Sequence, residues 1–317
     1  MSELGDQNEA DFELKVRAAW HYYVEGLTQE RISEVLGVGR IKVQRILSAA
    51  RDESIVQFKI RSGIVECVEL QRRLIANFGL AEALVVPSAA NHGNAPQLIG
   101  HAAGEYLDGR IGAGEVIAVG WGRTLKAAIS RMPRRSVARV AIVSMLGGLT
   151  HSAPLNPAGT AVELADRLGA ECYVLPVPVF ADKPEDQSVF MGQRSIQDVL
   201  HWARRANLAV LSVGSFSREN PIADFGFIRS NEWDELEAAG AVGDILGHFI
   251  DASGALVKHS VNERACSLPL SDLANIPNIV LVSGGREKVG ALSAALKFMR
   301  VTTLITDEAA AHGLLSG

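Results

Sequence analysis

From Asp11 to Ala50 the apolar positions recur at helical spacing, whereas after Leu80 they gather into short runs bounded by glycine. The first stretch predicts three helices. One covers about Phe12 to Val24 and ends before Gly26. Thr28 is a suitable N-cap for the second, because its hydroxyl can accept from an unpaired N–H of the first turn. Gln29 and Glu30 then place polar and acidic groups where the helix dipole favours them. That helix runs to Leu36 and stops at Gly37, which tolerates a positive φ. A third begins near Arg40 and carries Val43, Ile46 and Leu47 on one face. Val56–Ile60 alternates and predicts a short strand, Ser62-Gly63 a hinge, and Val65–Asn77 an amphipathic helix.

Beyond Leu80, apolar runs alternate with helical segments, the order expected of βα units around a mainly parallel sheet. The predicted strands are Glu82–Val86, Val116–Val119, Val140–Ser144, Glu171–Leu175, Leu208–Val213, Ile279–Ser283 and Val301–Thr306. Helices fall between them, among them Thr124–Arg131, Thr160–Leu168, Ser195–Arg205 and Lys288–Phe298. Pro176–Gln193, rich in proline and acids, predicts a long loop able to cover a pocket. The fold class is therefore α/β, with a helix-turn-helix domain over residues 1–62 and a Rossmann-like, mainly parallel sheet domain over residues 63–317.

Starting at Gln29, buried positions fall on Ile32, Leu36, Val38, Val43 and Ile46. A small Ser33 stands where two helices must approach, and Gly37 occupies the turn. This is the restrictive pattern of a helix-turn-helix. Gly39, Arg40, Lys42, Gln44 and Arg45 are left outward, able to reach phosphates and base edges in a major groove. Arg40, Gln44 and Arg45 are the candidate base readers, Lys42 an equal candidate for a phosphate, and Thr28 and Gln29 join them at the start of the second helix. The bland alternative is a three-helix module for protein contacts.

Charge bears on that choice only locally. The 317-residue chain carries a net −5, which looks wrong for a DNA-binding protein. Residues 39–61, however, hold six basic side chains against two acidic ones, an excess of +4. Screening confines such effects to about 10 Å, so the local patch decides. The composition, 48% apolar and 21% charged, is that of an ordinary globular chain. Cys67, Cys172 and Cys266 are scattered with no CxxC pair, which reads as reduced thiols in a cytosol rather than a disulfide or zinc framework. The polar, acidic stretch Met1–Asp11 is not a signal-peptide start. Val140–Leu149, the longest nearly apolar run, is about half of what a bilayer span needs. A cytoplasmic protein without a membrane partner is expected.

In the second domain, short glycine-rich turns follow predicted strands at Gly120-Trp121-Gly122-Arg123-Thr124, Gly147-Gly148, Gly214-Ser215 and Gly284-Gly285. Ligands of an open parallel sheet bind beyond the carboxyl ends of its strands. The first turn leads into a helix, so its N–H groups, the Thr124 hydroxyl and Arg123 could hold an anion. None of these turns is a Walker A or a GxGxxG motif, and a glycine after a strand is more often only a tight turn. Lys288 stands at a predicted helix start, where a cation opposes the dipole and an anionic ligand would favour it. Asp244, His248 and Asp251 share one face if they are helical and disperse if they are a strand, and no metal site is assigned to them. His92, His101 and His151 have no partner pattern.

The segment "EGLTQERISEVLGVGRIKVQRILSAARDESIVQFKI" resembles the N-terminal module of SorC-type sugar-responsive regulators. The motifs "GWGRTL", "LGG", "SVGS", "GDILGHFIDASG", "SGGREKVGALSAAL" and "LITDEAAA" extend that resemblance in the family's order over about Leu14–Leu315. The chain departs from the pattern at Gly39, where serine or threonine is usual, and at "NERACSL". The resemblance implies a regulator of a carbohydrate or polyol operon. It would bind double-stranded DNA at a palindromic operator as a homodimer or homotetramer. It would answer to a small sugar, a sugar phosphate or a polyol, without a cofactor. It also implies that Lys288 and Asp244 belong to the effector site, the carboxylate bonding sugar hydroxyls, beside Gly120, Gly122, Arg123, Thr124, Gly147 and Gly148. The family's sensor domain shares the fold of ribose-5-phosphate isomerase and glucosamine-6-phosphate deaminase. The alternative is therefore an isomerase- or deaminase-like enzyme with an added N-terminal module. Asp244, His248 and Glu263 are its candidate acid–base groups, though no arrangement among them is specific to chemistry.

Overall fold

The computed structural model describes residues 3–53, 55–56, 64–88, 95–149, 155–218 and 220–316. The chain divides into two compact units, Met1–Ser62 and Gly63–Gly317. The predicted strand Val56–Ile60, the hinge at Ser62-Gly63, and His92 and His151 lie wholly or mostly outside the described residues.

In the first unit, α1 (Glu3–Tyr23), α2 (Gln29–Leu36) and α3 (Arg40–Asp52) pack around Ala18, Ile32, Val43, Ile46 and Leu47. The first helix starts nine residues earlier than the apolar spacing predicts. Lys15, which pairs with Asp11 at 2.8 Å and Glu53 at 2.7 Å, ties α1 to the end of α3. The Thr28 hydroxyl accepts from the Arg31 N–H at 3.3 Å and caps α2. Gly37 ends that helix at φ 63°, a left-handed conformation costly for a side chain with a Cβ. Ser33 Oγ donates to the Val38 carbonyl at 2.6 Å and closes the turn between α2 and α3.

The second unit holds a seven-stranded parallel sheet in the order β1-β10-β9-β5-β2-β3-β4. Its strands are β1 (Glu82–Val86), β2 (Val116–Val119), β3 (Ala141–Gly148), β4 (Glu171–Pro178), β5 (Leu208–Leu211), β9 (Asn278–Val282) and β10 (Thr303–Asp307). The intervening β6 (Val213–Ser215), β7 (Ala241–Ile245) and β8 (His248–Asp251) form an antiparallel sheet of their own. Helices α5 (Ala95–Arg110), α6 (Arg123–Arg131) and α7 (Pro157–Leu168) cover one face around Ile117, Val119, Ile142 and Val210. The other face, with Ala118, Val143, Ala209 and Leu281, packs against α4 (Ile64–Phe78), α9 (Arg194–Arg204), α13 (Val289–Phe298) and α14 (Glu308–Ser316). The parallel strands are apolar on both sides, as burial on two faces requires. Short helices α8 (Pro184–Met191), α10 (Pro221–Asp224), α11 (Ser230–Ala238) and α12 (Ser260–Arg264) lie in the connections.

Two expectations are corrected here, and one choice left open by the sequence is decided. Pro176–Gln193 is not a loop, since β4 runs to Pro178 and α8 starts at Pro184. Gly147 and Gly148 are the last residues of β3 rather than a turn after it, and Gly214-Ser215 lies within β6. Asp244, His248 and Asp251 sit on an antiparallel hairpin, with Ile245 opposite His248 and Ala241 opposite Asp251, so they share no helix face.

The order places a switch point at the centre of the sheet. From β2 the chain moves to β3 on one side, and from β5 it goes on to β9 on the other. The helices that follow β2 and β9 cover opposite faces, which opens a crevice at the carboxyl ends of β2 and β5.

Candidate functional site

The first unit turns a compact set of polar side chains outward. Tyr22, Thr28, Gln29 and Arg40 line an open cleft of about 800 Å³ where the turn after α1 meets the starts of α2 and α3. Arg40, Lys42, Gln44 and Arg45 are all exposed on α3. Gly39, the N-cap of α3, supplies no side-chain cap, and the first turn of that helix holds no acidic residue. Arg40 and Lys42 thus oppose the helix dipole, a cost that a phosphate at this end would relieve. The cleft and the α3 face bring together every polar residue expected to contact DNA.

In the second unit, three segments meet at the crevice. The first is Gly120–Thr124. Gly122 is the N-cap of α6 at φ 125°, and Arg123 and Thr124 form its first turn. The Gly120 N–H donates to the Val210 carbonyl at 2.9 Å, so the N–H groups left for an anion are those opening α6.

The second segment is the β6–β7–β8 sheet, suspended from the end of β5 by Ser212. It carries Asp244, which is 4% exposed and stands opposite Gly214. A Cβ on Gly214 would overlap the Asp244 carboxylate, so the strand can approach only as glycine. Asp244 Oδ2 accepts from the Gly247 N–H at 3.1 Å. The hairpin turn has both Leu246, φ 51°, and Gly247, φ 80°, in the left-handed region. A branched side chain there is strained, a feature that clusters at functional sites.

The third segment is Gly284–Lys288. Asp307 accepts from the Gly285 N–H at 2.9 Å and from the Ala310 N–H at 3.2 Å, fixing this turn and the start of α14 together. Arg286–Lys288 forms a single 3-10 turn that leads into α13.

The charges of these segments act on one another. Burial pushes the Asp244 carboxyl up to about 6, against the Gly247 N–H and the Lys288 charge, which pull it down. Burial also holds the Lys288 ammonium down at about 8, and the Arg123 guanidinium lowers it further. The Glu287 and Asp244 carboxylates act on Lys288 in the opposite sense, raising it. Lys288, acted on by Arg123, Glu287 and Asp244, can offer attraction to an anion, and the Asp244 carboxylate an acceptor to hydroxyls. Loss of solvent around the His248 ring lowers its imidazole to about 4, which keeps it neutral near pH 7.

The family described as "Putative sugar-binding domain" matches residues 62–316. The erythritol catabolism regulatory protein EryD of Brucella abortus is 35% identical over 309 residues, spanning 97% of this chain and 98% of its own length. The transcriptional regulator LsrR of Escherichia coli K12 is 31% identical over 320 residues, 99% of this chain and 98% of its own. The full-length sorbitol operon regulator SorC of Klebsiella pneumoniae superposes with a TM-score of 0.72 at 26% identity, covering 96% of this chain and 99% of that one. The chain belongs to the SorC family of sugar-binding transcriptional regulators.

This SorC-family chain is a regulator and not an isomerase or deaminase, as its relatives are named. Its partners are DNA and a sugar-type effector. Among the described residues, no helix is long and apolar enough to cross a membrane. The structure brings Arg123, Lys288 and Asp244 within electrostatic reach along one chain of charges, with Gly122 and Thr124 beside Arg123 at the start of α6. Gly147 is different, because its N–H already donates to the Cys266 carbonyl at 2.8 Å. A Cβ on it would overlap the Val177 and Pro178 carbonyls, so glycine there serves the packing of β3 on β4.

Sequence reading missed several contributors. Asp307 precedes a helix and so carried an N-cap signal, but its grip on Gly285 comes from the sheet order. Arg264, in the segment that departs from the family pattern, is buried and pairs with Glu232 at 2.8 Å, joining α12 to α11. Phe180, in the stretch expected to cover the pocket, would lie 3.2 Å from a Cβ on Gly247 and so packs behind the Asp244 turn.

Proposed function

We propose that residues 1–62 bind double-stranded operator DNA and that residues 63–317 sense a small sugar, its phosphate ester or a polyol in the cytoplasm. The effector sits in the crevice at Gly120–Thr124, Asp244 and Lys288, with Gly147 and Gly148 contributing shape rather than donors. The observation that carries this reading is the Lys288 ammonium, desolvated between the Arg123 guanidinium and the Glu287 and buried Asp244 carboxylates at the switch point. The first-turn N–H groups of α6 and the two cations suit a phosphate, and the carboxylate suits hydroxyls. On the DNA side, Arg40, Gln44 and Arg45 read base edges while Thr28, Gln29 and Lys42 hold phosphates. One short reading helix gives little specificity alone, so the regulator acts as a dimer or tetramer on a two-fold symmetric site.

Erythritol and sorbitol, which the relatives' names print, are the first probes to test, each beside its phosphate ester. A ligand that binds only the native state raises the melting temperature with dose. Lys288→Ala should remove most of that shift and the effector's influence on DNA while leaving ligand-free DNA binding intact. If Lys288→Ala and Asp244→Ala both respond like the parent, the crevice is not the effector site. If the unphosphorylated probe binds better than its ester, only the anion part fails.

A further inference from the structure

We infer that Ile41 reads a thymine methyl group from the floor of the major groove, fixing one A·T position in each half-site. This rests on the DNA-binding reading of residues 1–62. Ile41 is 71% exposed, more than any other large apolar side chain among the described residues. Each residue advances a helix by about 100°, and α3 buries Val43, Ile46, Leu47 and Ala50 on one side. Ile41 falls on the opposite side, at the middle of the outward face. Arg45 stands one turn further along the same face, and Gln44 flanks it.

Nothing within the unit accounts for a branched apolar residue at this place. It adds nothing to the core, and its β-branching lowers helix propensity relative to alanine. Its neighbours, however, have the sign of a nucleic-acid surface: Arg40, Lys42 and Arg45 surround it, and no acidic side chain lies in the first turn. In a docked helix-turn-helix the N-terminal turns of the reading helix meet the base edges. The floor of the major groove presents one apolar group, the C5-methyl of thymine. Isoleucine has no side-chain donor or acceptor with which to read the other edges, so Ile41 takes the methyl while Gln44 and Arg45 take hydrogen-bonding edges beside it.

The test starts from the duplex that the full chain enriches from a random-sequence library. Each thymine of that duplex is then replaced, one symmetric pair at a time, by deoxyuridine, which removes only the methyl. Burying one such carbon is worth roughly 0.8 kcal/mol, or about fourfold in Kd per half-site. Replacing one thymine pair, one methyl in each half-site, should cost about fifteenfold in Kd with the parent protein in fluorescence anisotropy. Ile41→Ala, a change at an exposed helical position, should weaken the thymine duplex by a similar factor and the deoxyuridine duplex no further. Indifference of the parent to deoxyuridine at every thymine, or equal weakening of both duplexes by Ile41→Ala, overturns the assignment. An enriched duplex with no methyl dependence removes only the role of Ile41, whereas failure to enrich any duplex brings down the DNA-binding reading as well.

Discussion

The two units of this regulator use charge and burial in opposite ways. The helix-turn-helix unit exposes Arg40, Lys42 and Arg45 on α3, over a core whose largest members are Ile32, Val43, Ile46 and Leu47. Its candidate base readers, Arg40, Gln44 and Arg45, lie within six residues of one another on one helix face, and Thr28 and Gln29 join them from the start of α2. The sheet unit instead buries Asp244, desolvates Lys288 and assembles its crevice from segments near residues 120, 214, 244, 285 and 307. The first arrangement is a surface that a large partner must come to. The second is a set of buried and desolvated charges held in place by the sheet, suited to a small partner.

That contrast predicts that damage in one unit leaves the function of the other. The largest effect is expected from Ile32→Ala. Ile32 is fully buried, and such truncations cost about 2–5 kcal/mol. In so small a core this approaches the whole local stability, so DNA binding should vanish at 37 °C. The effector-dependent rise in melting temperature of the sheet unit should persist. Calorimetry with anisotropy on the same sample checks both halves, and joint loss of the two functions would mean the units are not independent.

Gly214→Ala carries the comparison into the sheet unit. Its methyl would overlap the Asp244 carboxylate, and overpacking of this kind costs about 1–3 kcal/mol. Displacing Asp244 should weaken effector binding by tenfold or more, while DNA affinity without effector stays within twofold, as titration calorimetry and anisotropy would show.

A pH series gives a smaller and reversible effect. The carboxylate of Asp244 accepts hydroxyls only when ionised, and the Lys288 ammonium attracts an anion only when protonated. Below about 6 Asp244 takes up a proton, and above about 8 Lys288 loses one. Effector affinity should therefore peak between these values and fall by up to about tenfold per pH unit on either side. For a polyol without phosphate the alkaline arm should flatten, because no anion depends on Lys288. A profile flat from pH 5 to 9 for every effector would remove both groups from the site.

The same contrast explains what could be read from the chain beforehand. Thr28, Gly37 and the spacing of Ile32, Val43 and Ile46 act through neighbours in sequence, so the helix-turn-helix was legible. Asp244 and Lys288 could be singled out, by the family likeness and by an oddly placed cation. Their shared crevice depends on β5 lying between β2 and β9, which no local pattern encodes. The residues from Ile245 to Ile250 fit a helix or a strand equally well, and only the pairing of β7 with β6 and of β8 with β7 decides. The helix Pro184–Met191 was hidden by its composition, although Pro184 at its first position followed by Glu185 and Asp186 is a helix-start signal. Ile41 escaped because attention to charged and polar side chains passes over an apolar one at the centre of the reading face.

The smallest expected effect lies at Gly39. It caps α3 with φ −66° and ψ 149°, an extended conformation open to any residue, and it makes no side-chain hydrogen bond to the first turn. Serine fits that backbone and supplies the missing acceptor for an N–H two or three residues on. Glycine is itself a tolerable N-cap, so the gain from Gly39→Ser should be only a few tenths of a kcal/mol. In a unit with this small a core, that should still appear as slower amide exchange through α3 and a slightly higher melting temperature. The sheet unit should not respond. The cap also removes an N–H that could meet a phosphate, and the new hydroxyl lies beside Arg40, so DNA affinity can move either way while stability rises. A fall in stability would show that the α3 N-terminus is not held as described, and with it the placement of Ile41, Gln44 and Arg45 on the reading face.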